Sequence, residues 1–538
     1  MVMTHQAEGK KTAFAKYPST KKLEKLAEDP VDLTKKGVLT PERLEKHLIE
    51  GCGFKLFFGT QRVDDEVLKA LFSLEKDAKA VEKMIAQQSG AVINLIEGHE
   101  SEHRSVLHTA MRDFFDNPHD AKVAKEASEL ERKELEKLKE FLGKIDHEDR
   151  FDDIVVIGIG GSNLGQESVY LALKHLKKSK RNAHYISNID PDQITDVLNS
   201  VDLKRTLFVA VSKSGSTLET VTNEAFVRER LKEEGIESNE HFVAVTGEGS
   251  PMDDPEKYLE CFYSWDFIGG RYSTTAMYGA VALSFMIGYD NFWEFLRGAN
   301  AMDKMALNPE PMENLPLMMA LLGIWNHNFL GCPNVAVIPY SDALHRFPAH
   351  IQQVDMESNG KHIDRHGTHV NFKTGPVIFG EPGTNAQHSF YQLLHQGTEV
   401  VPMELIGFVE SQYGEDQTLF GTTNQEKLVS NLVAQAIALG QGQQSDNPNK
   451  TFEGNRPSTV LIAERLTPYA MGALFALYEH KVAFQGFIWD INSFDQEGVQ
   501  LGKVLANKVI ESFKEKRQKG SFQGSFPLGE SFLNNLEF

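Results

Sequence analysis

Residues 153–176 read DIVVIGIGGSNLGQESVYLALKHL. A short run of branched aliphatic residues gives way to a turn built on Gly158, Gly160 and Gly161. A segment with helical spacing then follows. A strand, a glycine turn and a helix in succession make one βα unit. The same texture recurs at AHYISNI (183–189), TLFVAVS (206–212) and HFVAVTG (241–247), with helix-like stretches between. Near-continuous apolar strands alternating with helices predict a parallel sheet covered on both faces. A second series appears at NVAVIPY (334–340), GPVIFG (375–380), VVPMELIGF (400–408) and STVLIAE (458–464). The expected fold class is therefore α/β, with two α/β domains in series.

Residues 20–90 read as helical, as in DDEVLKALFSLEKDAKAVEKMI (64–85), and are expected to pack on one of the two domains. The apolar stretch LPLMMALLGIW (315–325) is too short to span a bilayer and reads as a buried helix. GQGQQSDNPNKTFEGNRPS (440–458) is a long polar loop of the kind that is usually functional. The last 20 residues read as a terminal arm.

The chain of 538 residues carries a formal net charge of −20. Most of its surface would repel nucleic acid or an anionic membrane, so neither is an expected partner. Its three cysteines (Cys52, Cys261, Cys332) are far apart and form no paired motif. That argues against a disulfide framework or zinc ribbon and fits a reducing cytoplasm. The segment 1–30 is polar throughout and has no signal-type apolar core.

Against this acidic background the loop VSKSGSTLET (211–220) stands out. It supplies four hydroxyls (Ser212, Ser214, Ser216, Thr217), Lys213 and a flexible Gly215, directly before the helical stretch 217–235. Hydroxyls, an ammonium and the free N–H groups of a helix start suit a phosphate. The nucleotide pattern GxxxxGK[ST] is absent. A loop that merely caps its helix is the plainer alternative, but a cap needs one hydroxyl. The turn at 158–165 also fails the dinucleotide pattern GxGxxG, because Asn163 stands at its third glycine.

Four further segments carry chemistry. GGRYSTTAMYGA (269–280) places Arg271 after two glycines, where a guanidinium can approach an oxyanion. QQVDMESNGKHIDRHGTHV (352–370) puts Glu357 in a polar turn and adds His362, His366 and His369. Bracketing glycines predict that these three rings do not share a face, so solvated loop histidines are expected rather than a metal site. GEPGTNAQHSFYQLLHQG (380–397) sets His388 at the start of a helix. FDQEGVQLGKVLANKV (494–509) spaces Gln496 and Lys503 two helical turns apart, on one face.

Taken in order, GIGGSNLG, SKSGSTLET, GGRYS, MESNGK, GEPGTNAQHSFYQLLHQG and FDQEGVQLGK resemble the phosphoglucose isomerase family over about residues 90–510. The resemblance implies two sugar-isomerase (SIS) domains, 111–290 and 291–515. It adds an N-terminal helical region (1–110) packing on the larger domain and a C-terminal arm (516–538). It implies reversible aldose–ketose isomerisation of glucose 6-phosphate and fructose 6-phosphate, with no cofactor and no metal. It also implies a homodimer with shared active sites, in which loop 440–458 hooks the neighbouring chain. Carried over by match, Glu357 is the general base and Arg271 stabilises the enediolate, while His388 and Lys503 open the ring. Ser212, Lys213, Ser214 and Thr217 hold the phosphate, Gln496 contacts substrate, and Ser162 lies in the loop lining the sugar. Gln500 and Gln166 depart from the glutamate and proline common at those family positions. Two other classes share the serine loop. A non-catalytic SIS-type sugar-phosphate regulator would not need Glu357, His388 and Lys503 together. An aminotransferring isomerase would need an ammonia source, and no N-terminal nucleophilic cysteine is seen.

Overall fold

The computed structural model describes residues 12–536. They divide into two compact units, one ending at Ser493 and one beginning at Phe494.

The first unit contains two sheets with parallel cores. In one, β5 (Asp153–Ile157), β6 (Asn182–Ile186), β7 (Thr206–Ser212), β8 (Phe242–Thr246) and β9 (Glu260–Tyr263) lie in the order β6-β5-β7-β8-β9, all parallel. Every residue of β7 and β8 is buried, as the unbroken apolar runs require. In the other, β10 (Asn334–Pro339), β11 (Val377–Phe379), β12 (Met403–Phe408) and β13 (Ser458–Ala463) pair in parallel as β13-β12-β10-β11. The mixed α/β architecture read from the sequence is present, and all eight apolar runs form strands. β9 is an addition; its four residues are too short a signal to stand out.

The segment read as wholly helical contains a hairpin instead. β1 (Leu48–Gly51) and β2 (Phe54–Phe57) extend the second sheet, with β2 antiparallel to β13. Cys52 and Gly53 form its two-residue turn, both at positive φ (50° and 81°). That geometry matches the twist of paired strands. Glu50 and Lys55 sit opposite each other and form a 2.9 Å ion pair. A separate ribbon joins β3 (Val92–Asn94) to β4 (Arg104–Ser105).

The helix Pro468–Trp489 is central to the first unit: its residues from Ala470 to Trp489 are all buried. It is largely apolar, and its buried Glu479, His480 and Lys481 pair with Arg112, Asp303 and Glu404. It packs closely on the helix Tyr289–Met305 through glycine: a Cβ on Gly472 would lie 1.8 Å from Phe295 O. The stretch around 315–325 is indeed a buried helix, Leu315–Ile324. No helix among the described residues is long and apolar enough to cross a membrane.

The order of the first sheet fixes where chemistry can happen. From β5 the chain steps outward to β6, then returns to β7 on the other side. Such a reversal leaves a crevice beyond the carboxyl ends of the two central strands. The glycine turn follows β5 and the serine loop follows β7, so both open on that crevice.

The second unit holds two helices, Gln500–Lys519 and Pro527–Asn535. Gly520 at φ 79° ends the first, and Glu530 accepts bonds from Gly524 N (2.8 Å) and Phe526 N (3.0 Å) to close the connection. Gln496 and Lys503 do not share one helix as the spacing predicts. Gln496 is non-helical (φ −147°, ψ 46°) and a short turn, Glu497–Val499, intervenes before the helix begins. Gly498 in that turn favours the late start.

Candidate active site

The helix Phe347–Gln352 passes without a break into a π-helical turn, Gln353–Glu357. Glu357 therefore lies inside a continuous helix rather than in a polar turn, because Gly360 interrupts the helix only after Asn359. Single π turns widen the helix and re-aim side chains, and they recur at functional sites. Lys361 Nζ donates to the carbonyls of Glu357 (2.8 Å) and Ser358 (2.9 Å), closing the turn with a cation at its carboxyl end.

Arg271 meets this turn from the loop after β9. Its side chain is almost wholly buried, and Nη1 lies 3.8 Å from Glu357 Oε1. Nε donates to Ser358 Oγ (2.6 Å) and Nη2 to Ser493 O (2.6 Å). The Tyr272 hydroxyl pairs with the same Ser358 Oγ at 2.7 Å, and its ring stacks on buried His108 (4.7 Å, 16°). Burial pushes the Tyr272 phenol up to about 12. Gln353 Nε2 donates to Glu357 Oε2 at 3.0 Å, so the carboxylate is held on one side and faces a guanidinium on the other.

The glycine turn lies against the same two segments. A Cβ on Gly161 would fall 2.2 Å from Gly270 C and O, and one on Gly160 would lie 3.3 Å from Gln353 Nε2. Ser273 Oγ donates to Gly161 O (3.2 Å). The glycines therefore serve a backbone-to-backbone contact that brings Ser162 beside the arginine loop.

In the serine loop, Ser212 Oγ and Thr217 Oγ1 are 2.9 Å apart, and Ser214 Oγ accepts from Ser216 N (3.3 Å) and Ser216 Oγ (3.0 Å). Gly215 takes φ 62° and packs on Ser250 to Met252. Thr217 is the N-cap of the helix Leu218–Glu233, yet its side chain makes no capping bond. The simple capping alternative is therefore not realised. Lys213 Nζ donates to Ile268 O (3.2 Å) and lies 3.6 Å from Asp266. Burial lowers the Lys213 pKa, Arg104 adds to that, and Asp266 opposes it.

The structure thus gathers Arg271, Glu357 and the Ser162 turn, and separately gathers Ser212, Ser214 and Thr217 around the start of one helix. His388 lies on a different segment, the loop that follows β11. It ends the short turn Asn385–His388 instead of starting a helix, since Ser389 leaves helical geometry and the helix begins at Tyr391. Its imidazole is exposed. Gln496 and Lys503 belong to the second unit. Ser358, Tyr272 and Gln353 escaped the sequence reading. Each lies inside a segment already singled out, at Glu357 ± 1 to 4 or beside Arg271.

His362 and His369 approach each other (5.2 Å between rings) across a bridge from Ile363 to His369. His366 points elsewhere: Nδ1 meets Glu97 Oε2 at 2.7 Å and Nε2 lies 3.3 Å from Asp490. The Glu97 bond raises its pKa, against some burial. Two of the three rings thus do meet, while the third joins carboxylates rather than solvent alone.

A parallel α/β sheet with an anion-receptive loop on one side of its crevice and a carboxylate–guanidinium pair on the other defines a protein of the sugar-isomerase class. Comparison with known proteins makes the assignment specific. Residues 57–527 match the family described as Phosphoglucose isomerase. The chain is 57% identical over 525 residues to glucose-6-phosphate isomerase of Protochlamydia amoebophila (strain UWE25), covering 97% of each. It is 50% identical to that of Chlamydia pneumoniae over 98% of this chain and 99% of the relative. A crystal structure of a glucose-6-phosphate isomerase from Chlamydia trachomatis D/UW-3/Cx superposes with a TM-score of 0.93 at 47% identity, covering 97% of this chain and 99% of that one. This chain belongs to the phosphoglucose isomerase family.

Proposed function

We propose that the protein interconverts glucose 6-phosphate and fructose 6-phosphate by proton transfer through a cis-enediolate, with Glu357 as the base. The observation that carries this reading is the pairing of a half-exposed carboxylate, Glu357, with a buried guanidinium, Arg271, at 3.8 Å. One carboxylate beside C1 and C2 can take a proton from one carbon and return it to the other. Negative charge then grows on the adjacent oxygen. A guanidinium stabilises it without giving up a proton of its own.

The cyclic sugar must open first. A proton goes to the ring oxygen and another leaves the anomeric hydroxyl, tasks suited to the imidazole of His388 with Lys503 assisting by charge. Gln496 is assigned a substrate contact. Ser212, Lys213, Ser214 and Thr217 hold the phosphate, and Ser162 lines the sugar. Phosphate binding is remote from the reacting carbons and serves to position them.

His388 is exposed here, which fits a histidine that completes the site of a second copy. The loop 440–458 supports the same reading. Its neck is closed by a bridge between Gln443 and Phe452 and by close packing of Gly442 on Gly454, while its tip is exposed. A preformed projection of this kind suits capture of a neighbouring chain. The assignment is a homodimer acting in the cytoplasm, with the chain organised as 1–110, 111–290, 291–515 and 516–538. Supplying fructose 6-phosphate to the purified protein and following glucose 6-phosphate tests the activity. Failure to form it with folded protein would overturn the assignment.

A further inference from the structure

Asp266 Oδ1 lies 3.2 Å from Arg104 Nη1 and 3.6 Å from Lys213 Nζ. A single carboxylate oxygen is thus shared by two cations. The exposures differ: the Asp266 side chain is 79% exposed, while Arg104 and Lys213 are each 27% exposed. The cations are anchored and the carboxylate is not. Leu107 N donates to Phe267 O (2.9 Å), which fixes the Arg104 segment along the Asp266 segment. Lys213 Nζ is tied to Ile268 O (3.2 Å). The other arm of Arg104 bonds Glu102, and Asn94 Nδ2 bonds the same Glu102 oxygen at 2.5 Å.

The charges balance at rest, with Arg104 and Lys213 against Asp266 and Glu102. Two anchored cations this close repel each other and favour an anion between them. An exposed aspartate holds such a place weakly, since water competes for it. A phosphate dianion brings twice the charge and several acceptor oxygens, and guanidinium and ammonium both bind it well.

We propose that Arg104 is a second cation for the phosphate end of the substrate, and that Asp266 is a placeholder carboxylate which yields to that phosphate. This rests on the reading of 212–217 as the phosphate loop. The reduced pKa of Lys213, caused by burial and by Arg104, accords with two cations facing one site.

The test measures KM for fructose 6-phosphate and competitive inhibition by inorganic phosphate in four variants. Arg104→Ala should weaken both by about 10-fold or more with kcat little changed, as loss of a charge-assisted contact requires. Arg104→Lys should recover part of that loss. Asp266→Asn should tighten both by about 2- to 5-fold, the scale of an exposed ion pair. Lys213→Ala separates the two levels of inference. If it leaves KM and phosphate inhibition unchanged, the phosphate-loop reading fails. If it weakens both while Arg104→Ala does not, or while Asp266→Asn weakens them too, the placeholder proposal alone is overturned. Asp266→Asn alters an exposed side chain, so it remains decisive even if Arg104→Ala misfolds.

Discussion

Arg271 reaches Glu357 at 3.8 Å while its Nε donates to Ser358, the very next residue after Glu357. The two groups proposed to share the chemistry are therefore held by adjacent positions of one turn. At this separation the guanidinium does not bind the carboxylate directly. It can polarise an oxygen placed beside both while leaving the carboxylate able to take a proton.

Ser358→Ala removes the acceptor of the Arg271 Nε bond and the partner of Tyr272 (2.7 Å). A hydrogen bond to a charged group is worth about 1.5–3 kcal/mol, so kcat should fall roughly 10- to 100-fold. KM should stay within about twofold, since the phosphate end is untouched. Tyr272→Phe should cost less, because Arg271 keeps Ser358. Steady-state kinetics on both variants check this; a loss confined to KM would contradict it.

Gly161→Ala would set a Cβ 2.2 Å from the Gly270 carbonyl and 2.7 Å from Arg271 N. The arginine loop must then move by about an ångström, which can cost about 100-fold in rate. Gly143, inside the helix Lys122–Glu148, has open space around it, and Gly143→Ala should slightly stabilise the fold. Paired measurements of kcat and Tm on the two variants distinguish a local geometric effect from general sensitivity to glycine replacement.

Much of this was legible in the sequence. Eight of the nine strands of the parallel cores announce themselves as apolar runs, most plainly β5, β7, β8 and β12, where almost every residue is buried. The β1–β2 hairpin was not seen, although LIEGCGFKLF (48–57) alternates as a half-buried strand pair should. Helical residues on both sides hid it, and Cys at a positive-φ turn position is an uncommon signal. The site motifs were visible as segments. The contacts inside them were not: that Ser358 orients Arg271, or that Gly161 exists to meet Gly270, depends on residues about 90 to 110 positions apart in the chain. The helix boundaries at His388 and Lys503 shifted for local reasons, Ser389 and Gly498, that periodicity does not register.

Asp355 is wholly buried in the turn that carries Glu357, with neither carboxylate oxygen hydrogen-bonded. Burial raises its pKa from 3.8 to about 7; Glu404 adds to that and Lys481 opposes it. A carboxyl whose folded pKa is raised favours the folded state while protonated. Stability is therefore full below the unfolded value of 3.8 and is lost as pH rises towards 7. Asp355→Asn cannot ionise, so Tm of the variant relative to the parent should rise between about pH 4 and pH 8. Parallel Tm profiles would contradict the assignment.

If His388 completes the site of a second copy, chains carrying His388→Ala and chains carrying Glu357→Gln should complement. Each heterodimer would hold one site with both groups intact. Random reassortment should restore roughly a quarter of parental activity, given a symmetric dimer. Inactive mixtures in which heterodimers are demonstrably formed would place both groups in one chain's site.

The most direct test of the central claim follows hydrogen at the reacting carbons. Fructose 6-phosphate incubated with the protein in D2O should yield glucose 6-phosphate, and recovered fructose 6-phosphate should carry deuterium at C1. Glu357→Gln should abolish both while sugar-phosphate binding survives, a rate loss of at least about 10²- to 10⁴-fold for removal of a general base. Exchange and product formation near the parental rate in Glu357→Gln would contradict the account.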